Sequence, residues 1–373
     1  MPTIKDKFRG CIAGSWIGSA MGAPPEGWPR EKVLQTWGFI DKLLPYKHYI
    51  EFTDWARPAG TTEDGIERQK LIATAIIEKQ DRILAQDLAA IWARDLDPEK
   101  VKYKQEPYDR AMCLLIQNGV PAVEMGKMSI FNNVITMARA SHPLGLINAG
   151  DPRSAADDTF EVGRLYMREL DFGLRWAALY NAAIAEACRP GATVASVLQT
   201  ARDFADYRAE KGPLYKGAVD KFAYDTIARD INRALDIASQ CKTREELWDR
   251  FNTIYTGGHY LTYGLATAPE IVSKGLAIFA LHNGDPIQCI LTAVNFARDT
   301  DCLAAIVGGL SGTLAGSTAL KPEWLATVNS ATKADPYTNS HLSIEETADG
   351  LFNAFVARRK TLQNYLDTMD PEK

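Results

Sequence analysis

Asn295-Phe296-Ala297-Arg298-Asp299-Thr300-Asp301-Cys302-Leu303-Ala304-Ala305 sets two carboxylates and a hydroxyl at a short junction between two strongly helical segments. Upstream, Asp285-Pro286 reads as a helix start, an Asp cap followed by a proline at the first helical position. Ile287, Ile290, Leu291 and Val294 recur at helical spacing, so that helix is expected to end near Phe296. Downstream, Leu303 to Leu314 is apolar and small, the composition of a buried helix packed closely on its neighbours. Asp299 and Asp301 then stand at the entrance of that helix, where free N–H groups and the helix dipole favour negative charge. A cap needs one carboxylate, not two. A second anion in the same turn repels the first and loses solvation unless a cation lies between them. The pair is therefore read as metal-binding, with simple capping as the alternative.

Working outward, the chain of 373 residues is long enough to bury a large core. Hydrophobic residues make up 46% and charged residues 24%, an ordinary globular balance. The net charge of −5 and pI near 5.7 leave no basic footprint for nucleic acid. No apolar run approaches the ~20 residues of a membrane span. The six cysteines are scattered, with no CxxC pair, and read as reduced thiols that fill the core. The expectation is a soluble, cytoplasmic protein that binds neither nucleic acid nor membrane.

Residues 4–22 read as a helix in which Gly10, Gly14, Gly18 and Gly22 line one face. Each glycine costs about 1 kcal/mol of helix propensity relative to alanine, so the stripe implies close approach of another helix. Pro24 and Pro25 end that helix and present Glu26 on a stiff loop. Residues 30–60 are aromatic and aperiodic and read as a surface excursion. Thr61-Thr62-Glu63-Asp64 opens a helix to about residue 79, and Thr61-x-x-Asp64 fits a capping box. The same residues also form a second acidic helix entrance with adjacent oxygen donors. Helices are expected over 86–94 and 107–118, with a polar stretch at 95–105 between them. The Gly/Pro/Asn/Asp-rich segment 141–152 reads as a loop, with His142 either a turn residue or a functional one. Asp151-Pro152 starts the next helix, where Asp157 and Asp158 are expected to be solvated or capping. The charged connection 206–222 reads as a linker or flap, and 256–260 as a loop. Strand signals are nearly absent. The class is all-α, as a single domain over 1–373 with the C-terminal helices at 340–370 packed onto it.

Three segments resemble the ADP-ribosylglycohydrolase family. Phe8-Arg9-Gly10-Cys11-Ile12-Ala13-Gly14 with Gly18-Ser19-Ala20-Met21-Gly22-Ala23-Pro24-Pro25-Glu26 is similar to the family's opening helix and its GDALGxPxE element. Gly60-Thr61-Thr62-Glu63-Asp64-Gly65 is similar to its TDDT element. Ala297-Arg298-Asp299-Thr300-Asp301-Cys302-Leu303-Ala304-Ala305-Ile306-Val307-Gly308-Gly309-Leu310 is similar to its GGDTDTIAAIAGAL element. The match spans about 8–324 of the chain.

The resemblance implies an all-helical fold around two Mg²⁺ or Mn²⁺ ions and hydrolysis of a ribosyl bond by a metal-activated water. On that basis Thr62, Glu63, Asp64, Asp299, Asp301 and Cys302 are the expected metal ligands, and Glu26 and Asp299 the expected catalytic carboxylates. Asn133, His142 and Asn148, from the middle of the chain, are the expected substrate contacts. Hard oxygen donors suit magnesium or manganese rather than zinc. Five positions depart from the family pattern. Ser19 and Glu63 replace aspartates, Gly65 and Cys302 replace threonines, and Arg298 stands for a glycine. A thiol at 302 is a poor magnesium ligand, so one coordination position passes to water or is lost. The glycine-rich segment that receives a diphosphate in the family has no counterpart in 131–139. The expected substrate is therefore a small ribosyl or other glycosyl compound in preference to an ADP-ribosylated protein. The alternatives are a catalytically weakened binding or structural protein and a metal-dependent phosphohydrolase.

Overall fold

The computed structural model describes residues 1–47, 55–130, 132–168, 171–208, 218–256 and 266–370. Among these, regular structure is helical, and β-pairing is limited to two isolated bridges, Tyr46 with Arg57 and Val134 with Thr267. The all-α class holds.

The architecture is organised by two helices, Ile4–Gly22 and Thr300–Ala315, which run antiparallel with their backbones in contact. A Cβ added at Gly10 would come within 2.0 Å of the Gly312 carbonyl oxygen, at Gly14 within 2.0 Å of Gly308, and at Gly18 within 2.1 Å of Ala304. The reverse contacts are as close: a Cβ on Gly308 would lie 2.3 Å from the Gly14 oxygen and one on Gly312 2.1 Å from that of Gly10. No side chain fits at these positions, and only glycine allows backbones this close. The stripe expected from the sequence thus has a matching stripe on its partner. At the end of the pair, Thr300 Oγ1 donates to the Gly22 carbonyl at 2.7 Å. Two backbone bonds, Gly27 N to Arg298 O at 2.8 Å and Arg298 N to Trp28 O at 3.2 Å, then tie the Glu26 loop to the acidic junction. Ala297 and Arg298 both adopt positive φ there (74° and 67°). Arg298 is held in that costly conformation by its two-pronged grip on buried Glu270, at 2.8 and 3.0 Å.

Around this pair lie the buried helix Phe172–Ala187, the helices Ala268–Leu281 and Asp64–Lys79, and the C-terminal helix Ile344–Thr368. Phe8 joins the last of these to the first helix by edge and tilted contacts with Phe352 and Phe355, both at 5.6 Å. Buried side chains from all these elements form one continuous apolar cluster. All six cysteines are buried and unpaired. No described helix is long and apolar enough to cross a membrane.

Several local expectations need correction. The segment 141–152 contains a helix, His142–Ile147, because Pro143 occupies a tolerated first-turn position and Leu144, Leu146 and Ile147 face the core. Residues 30–37 are helical too, with Val33 buried and Trp37 stacked on Trp28 at 4.9 Å; a single buried position is too little for a periodicity to register. A short helix, Pro98–Val101, interrupts the polar stretch 95–105. The Thr61 capping box does not form. Its hydroxyl donates to the Pro58 carbonyl at 2.8 Å, and the helix begins at Asp64 behind Glu63. Asp158 is buried against Arg82 and Asn148 rather than solvated. The core of the expected linker, 209–217, and the loop residues 257–260 lie outside the described residues.

Candidate active site

Three chain segments meet at one crevice lined by Glu26, Asp64, Asp299 and Cys302 together with Arg139 and Ile135. Glu26 comes from the proline-braced loop after the first helix. Asp64 opens the helix Asp64–Lys79, with Glu63 and Thr62 just before it. Asp299, Asp301 and Cys302 come from the start of Thr300–Ala315. The helix entrances, over two hundred residues apart in sequence, are brought together.

Capping accounts for only a fraction of the acid. Asp299 Oδ1 accepts from the Cys302 N–H at 3.3 Å and caps the helix. Asp299 Oδ2, Asp301 Oδ1 and Thr62 Oγ1 have no hydrogen-bond partner among the described residues, although each residue is 2% exposed or less. Buried oxygen atoms left in this way are rare and costly. Asp299, Asp301 and Cys302 offer ligand atoms within 4.8 Å of one another. Burial raises the Asp301 carboxyl well above its ordinary pKa, and the nearby Asp299 and Glu63 add to the rise while Arg139 opposes it. Glu26 is raised in the same way, by burial first and then by Asp301, Asp299 and Glu63. Such mutual elevation marks a site short of positive charge.

The positive charge in direct contact with Glu63, Asp64 and Asp301 comes from three arginines that the sequence reading did not single out. Arg57 lies 2.5 Å from Glu63 Oε1, and the Tyr46 hydroxyl donates to the same oxygen. Arg68 meets Asp64 Oδ2 at 2.6 Å and grips Asp109 through two bonds, at 2.9 and 2.5 Å. Arg139, 3% exposed, reaches Asp301 Oδ2 at 2.5 Å, Asp64 Oδ1 at 3.1 Å, Cys302 Sγ at 3.0 Å and Ser19 Oγ at 3.0 Å. The extra methylene of Glu63, relative to the aspartate that the resemblance expects, carries its carboxylate to Arg57.

The mid-chain residues expected at the substrate are placed differently. His142 is fully buried, with Nδ1 near the Arg139 carbonyl (3.0 Å) and Gln69 Nε2 (2.9 Å) and Nε2 near the Tyr180 hydroxyl (2.8 Å). Burial lowers its pKa to about 4, so it is neutral and braces the turn that carries Arg139. Asn148 is remote from the crevice: its amide is used by Leu144 O, Asp158 and Arg358, which fasten the C-terminal helix. Asn133 is exposed; its carbonyl accepts from Ala268 N at 2.9 Å, and its neighbours Val134 and Ile135, not Asn133, line the crevice.

The oxygen set was tested against the pair of divalent ions that the resemblance implies. Asp299 and Asp301 fit one hard cation, because they offer ligand atoms within 4.8 Å of each other and each presents a buried oxygen without a donor; Thr62, at the other helix entrance, offers a third such oxygen. The remaining expected ligands are met by cations of the chain itself: Glu63 by Arg57, Asp64 by Arg68 and Arg139, and Cys302 by Arg139.

An all-α scaffold here gathers acids from three distant segments into one crevice. Residues 1–361 match the family described as ADP-ribosylglycohydrolase. The chain belongs to the ADP-ribosylglycohydrolase family. It is 24% identical over 335 residues to the uncharacterized protein YegU of Escherichia coli (strain K12), covering 88% of this chain and 94% of that protein. An uncharacterized protein of Archaeoglobus fulgidus is 23% identical over 329 residues, covering 86% of this chain and 91% of its own. A solved structure described as an ADP-ribosylglycohydrolase-related protein complex shares the fold, with a TM-score of 0.64 at 16% identity over 95% of this chain and 100% of its own.

Proposed function

We propose that the protein is a divalent-metal-dependent glycoside hydrolase that cleaves a bond at the anomeric carbon of a ribosyl group. The observation that carries this reading is the convergence of Glu26, Asp64 and Asp299 on one crevice of the family fold, with Asp301 buried beside Asp299 and carboxylate oxygen left over after capping. Thr62, Asp299 and Asp301 would hold a Mg²⁺ or Mn²⁺ ion, which when bound supplies Lewis acidity toward water and sugar hydroxyls. The chain's own contribution is positional. Asp299 and Asp301 are nearly inaccessible and suited to ligation. Glu26 is partly open to solvent and sits on the crevice wall facing them. It is therefore the carboxyl group placed to exchange a proton with water or a leaving group.

The substrate is proposed to be a compact ribosyl compound. A diphosphate is cradled by backbone N–H groups, and segment 132–139 has no glycine to allow close approach: Val134 and Ile135 line the crevice there, and the Ile135 N–H already donates to Ala266 O at 2.9 Å. Incubating the protein with Mn²⁺ and a panel of ribosides, nucleotides and ADP-ribosyl compounds tests the reading. Release of reducing sugar is expected. Phosphate release without sugar release would replace it with the phosphohydrolase reading, and absence of both would leave a binding role.

A further inference from the structure

The departures from the family pattern are not scattered in space. Three of them, Ser19, Gly65 and Cys302, lie in different segments of the chain, and all three touch the side chain of Arg139. Ser19 Oγ and Cys302 Sγ each lie 3.0 Å from its guanidinium nitrogens. At Gly65 an added Cβ would fall 2.3 Å from both Cδ and Nε of Arg139. A threonine at 65 would therefore exclude this arginine. An aspartate at 19 would fill the space that Ser19 leaves. Each change removes or softens an oxygen donor, and each makes room for, or a contact with, the same cation.

We infer that Arg139 is a built-in cation that takes the place of one of two metal ions, so that the chain binds a single divalent ion per molecule. The inference rests on reading Thr62, Asp299 and Asp301 as ligands, as argued above. Charge balance points the same way. Arg57 is matched to Glu63, and Arg68 is shared between Asp109 and Asp64. Arg139 faces Asp64, Asp299 and Asp301 and acts on Glu26. Arg139 thus supplies, from the chain itself, positive charge that these acids would otherwise draw from a second ion. Geometry separates the two positions. The oxygen atoms without a donor lie on Thr62, Asp299 and Asp301 (Oδ1), while the guanidinium directly contacts Asp64, Cys302 and the other oxygen of Asp301.

The test is the stoichiometry and electronic state of bound Mn²⁺ in the purified full-length protein. Calorimetry with metal analysis is expected to give one Mn²⁺ per chain, and electron paramagnetic resonance the uncoupled six-line signal of an isolated ion. Arg139→Met, which keeps the length and drops the charge, is expected to accept a second ion or to bind the first about tenfold more tightly, a change of ~1.4 kcal/mol. Arg139→Lys, which keeps a cation, is expected to stay at one. Two exchange-coupled ions in the unaltered protein would overturn the substitution while leaving the ligand assignment intact. No bound ion in the unaltered protein or in any variant would overturn the ligand assignment beneath it. The measurement on the unaltered protein decides the matter even if Arg139→Met fails to fold.

Discussion

Arg139 Nη2 lies 2.5 Å from Asp301 Oδ2, an ion pair between residues 1% and 4% exposed at the side chain that closes the acidic entrance of one helix against the turn of another. That pair sets the terms for what substitutions in the crevice should do.

Asp301→Asn is expected to abolish metal binding and turnover while leaving the metal-free fold nearly as stable as before. The change removes one of several mutually repelling anions, and Arg139 retains Asp64 and Ser19. Thermal unfolding with and without Mn²⁺ checks this. The unaltered protein should gain melting temperature with metal and the variant should not, since only a native-state ligand shifts the equilibrium.

Glu26→Gln should lower kcat by about 10²–10⁴-fold, the usual contribution of a positioned acid or base. Metal stoichiometry should not change, because the oxygen atoms without donors belong to Thr62, Asp299 and Asp301. Turnover measured beside calorimetric titration separates the two effects.

The pH dependence of the metal-free protein has a definite sign. Asp301 and Glu26 are raised above their ordinary 3.8 and 4.5, mainly by burial, so the folded state holds protons that the unfolded state has released. Stability from these groups is present below their raised values and lost as pH rises through them. His142 and His282, both lowered from 6.5 to about 4 by burial, act oppositely, with stability lost as pH falls below 6.5. The acid contribution is therefore a decline in the melting temperature of the metal-free protein as pH rises above the ordinary carboxyl range, opposed by the histidines up to pH 6.5. Asp301→Asn should flatten that slope, and saturating Mn²⁺ should remove it.

Gly14→Ala should destabilise the fold by about 1–3 kcal/mol or more, the cost of overpacking a tight contact. The new methyl would meet the Gly308 carbonyl oxygen at 2.0 Å, and neither backbone has a side chain that can yield. Because the same helix pair seats Gly22 against Thr300, turnover should fall as well. Denaturant unfolding and activity at a temperature where the variant is folded test both.

Much of this arrangement is legible in the sequence, for reasons that differ by residue. Asp285-Pro286 and Asp151-Pro152 announce helix starts because a short polar side chain before a helix has one common use, and both cap as expected. The glycines of 4–22 announce a close neighbour but not which one. The acids at 63–64 and 299–301 stand out because capping a helix entrance takes only one carboxylate. The helix 142–147 is hidden, since its Pro and Gly are the residues of turns and only burial reveals its face. Arg57, Arg68 and Arg139 were missed because a buried arginine is spelled no differently from a solvated one. The trace of Arg139 lay in its neighbours, as a missing side chain at Gly65 and shortened or softened ones at Ser19 and Cys302.

The glycine-lined clasp also fixes the order in which the molecule can become complete. Glu26 leaves the ribosome early, yet the surface that positions it belongs to residues beyond 300. Until that distant segment arrives, the bare glycine face has nothing of its own to cover it, and closing so long a loop delays folding. The crevice thus cannot take shape before that segment arrives, and a polypeptide cut short before Arg298 would carry Glu26, Glu63 and Asp64 without the carboxylates they face.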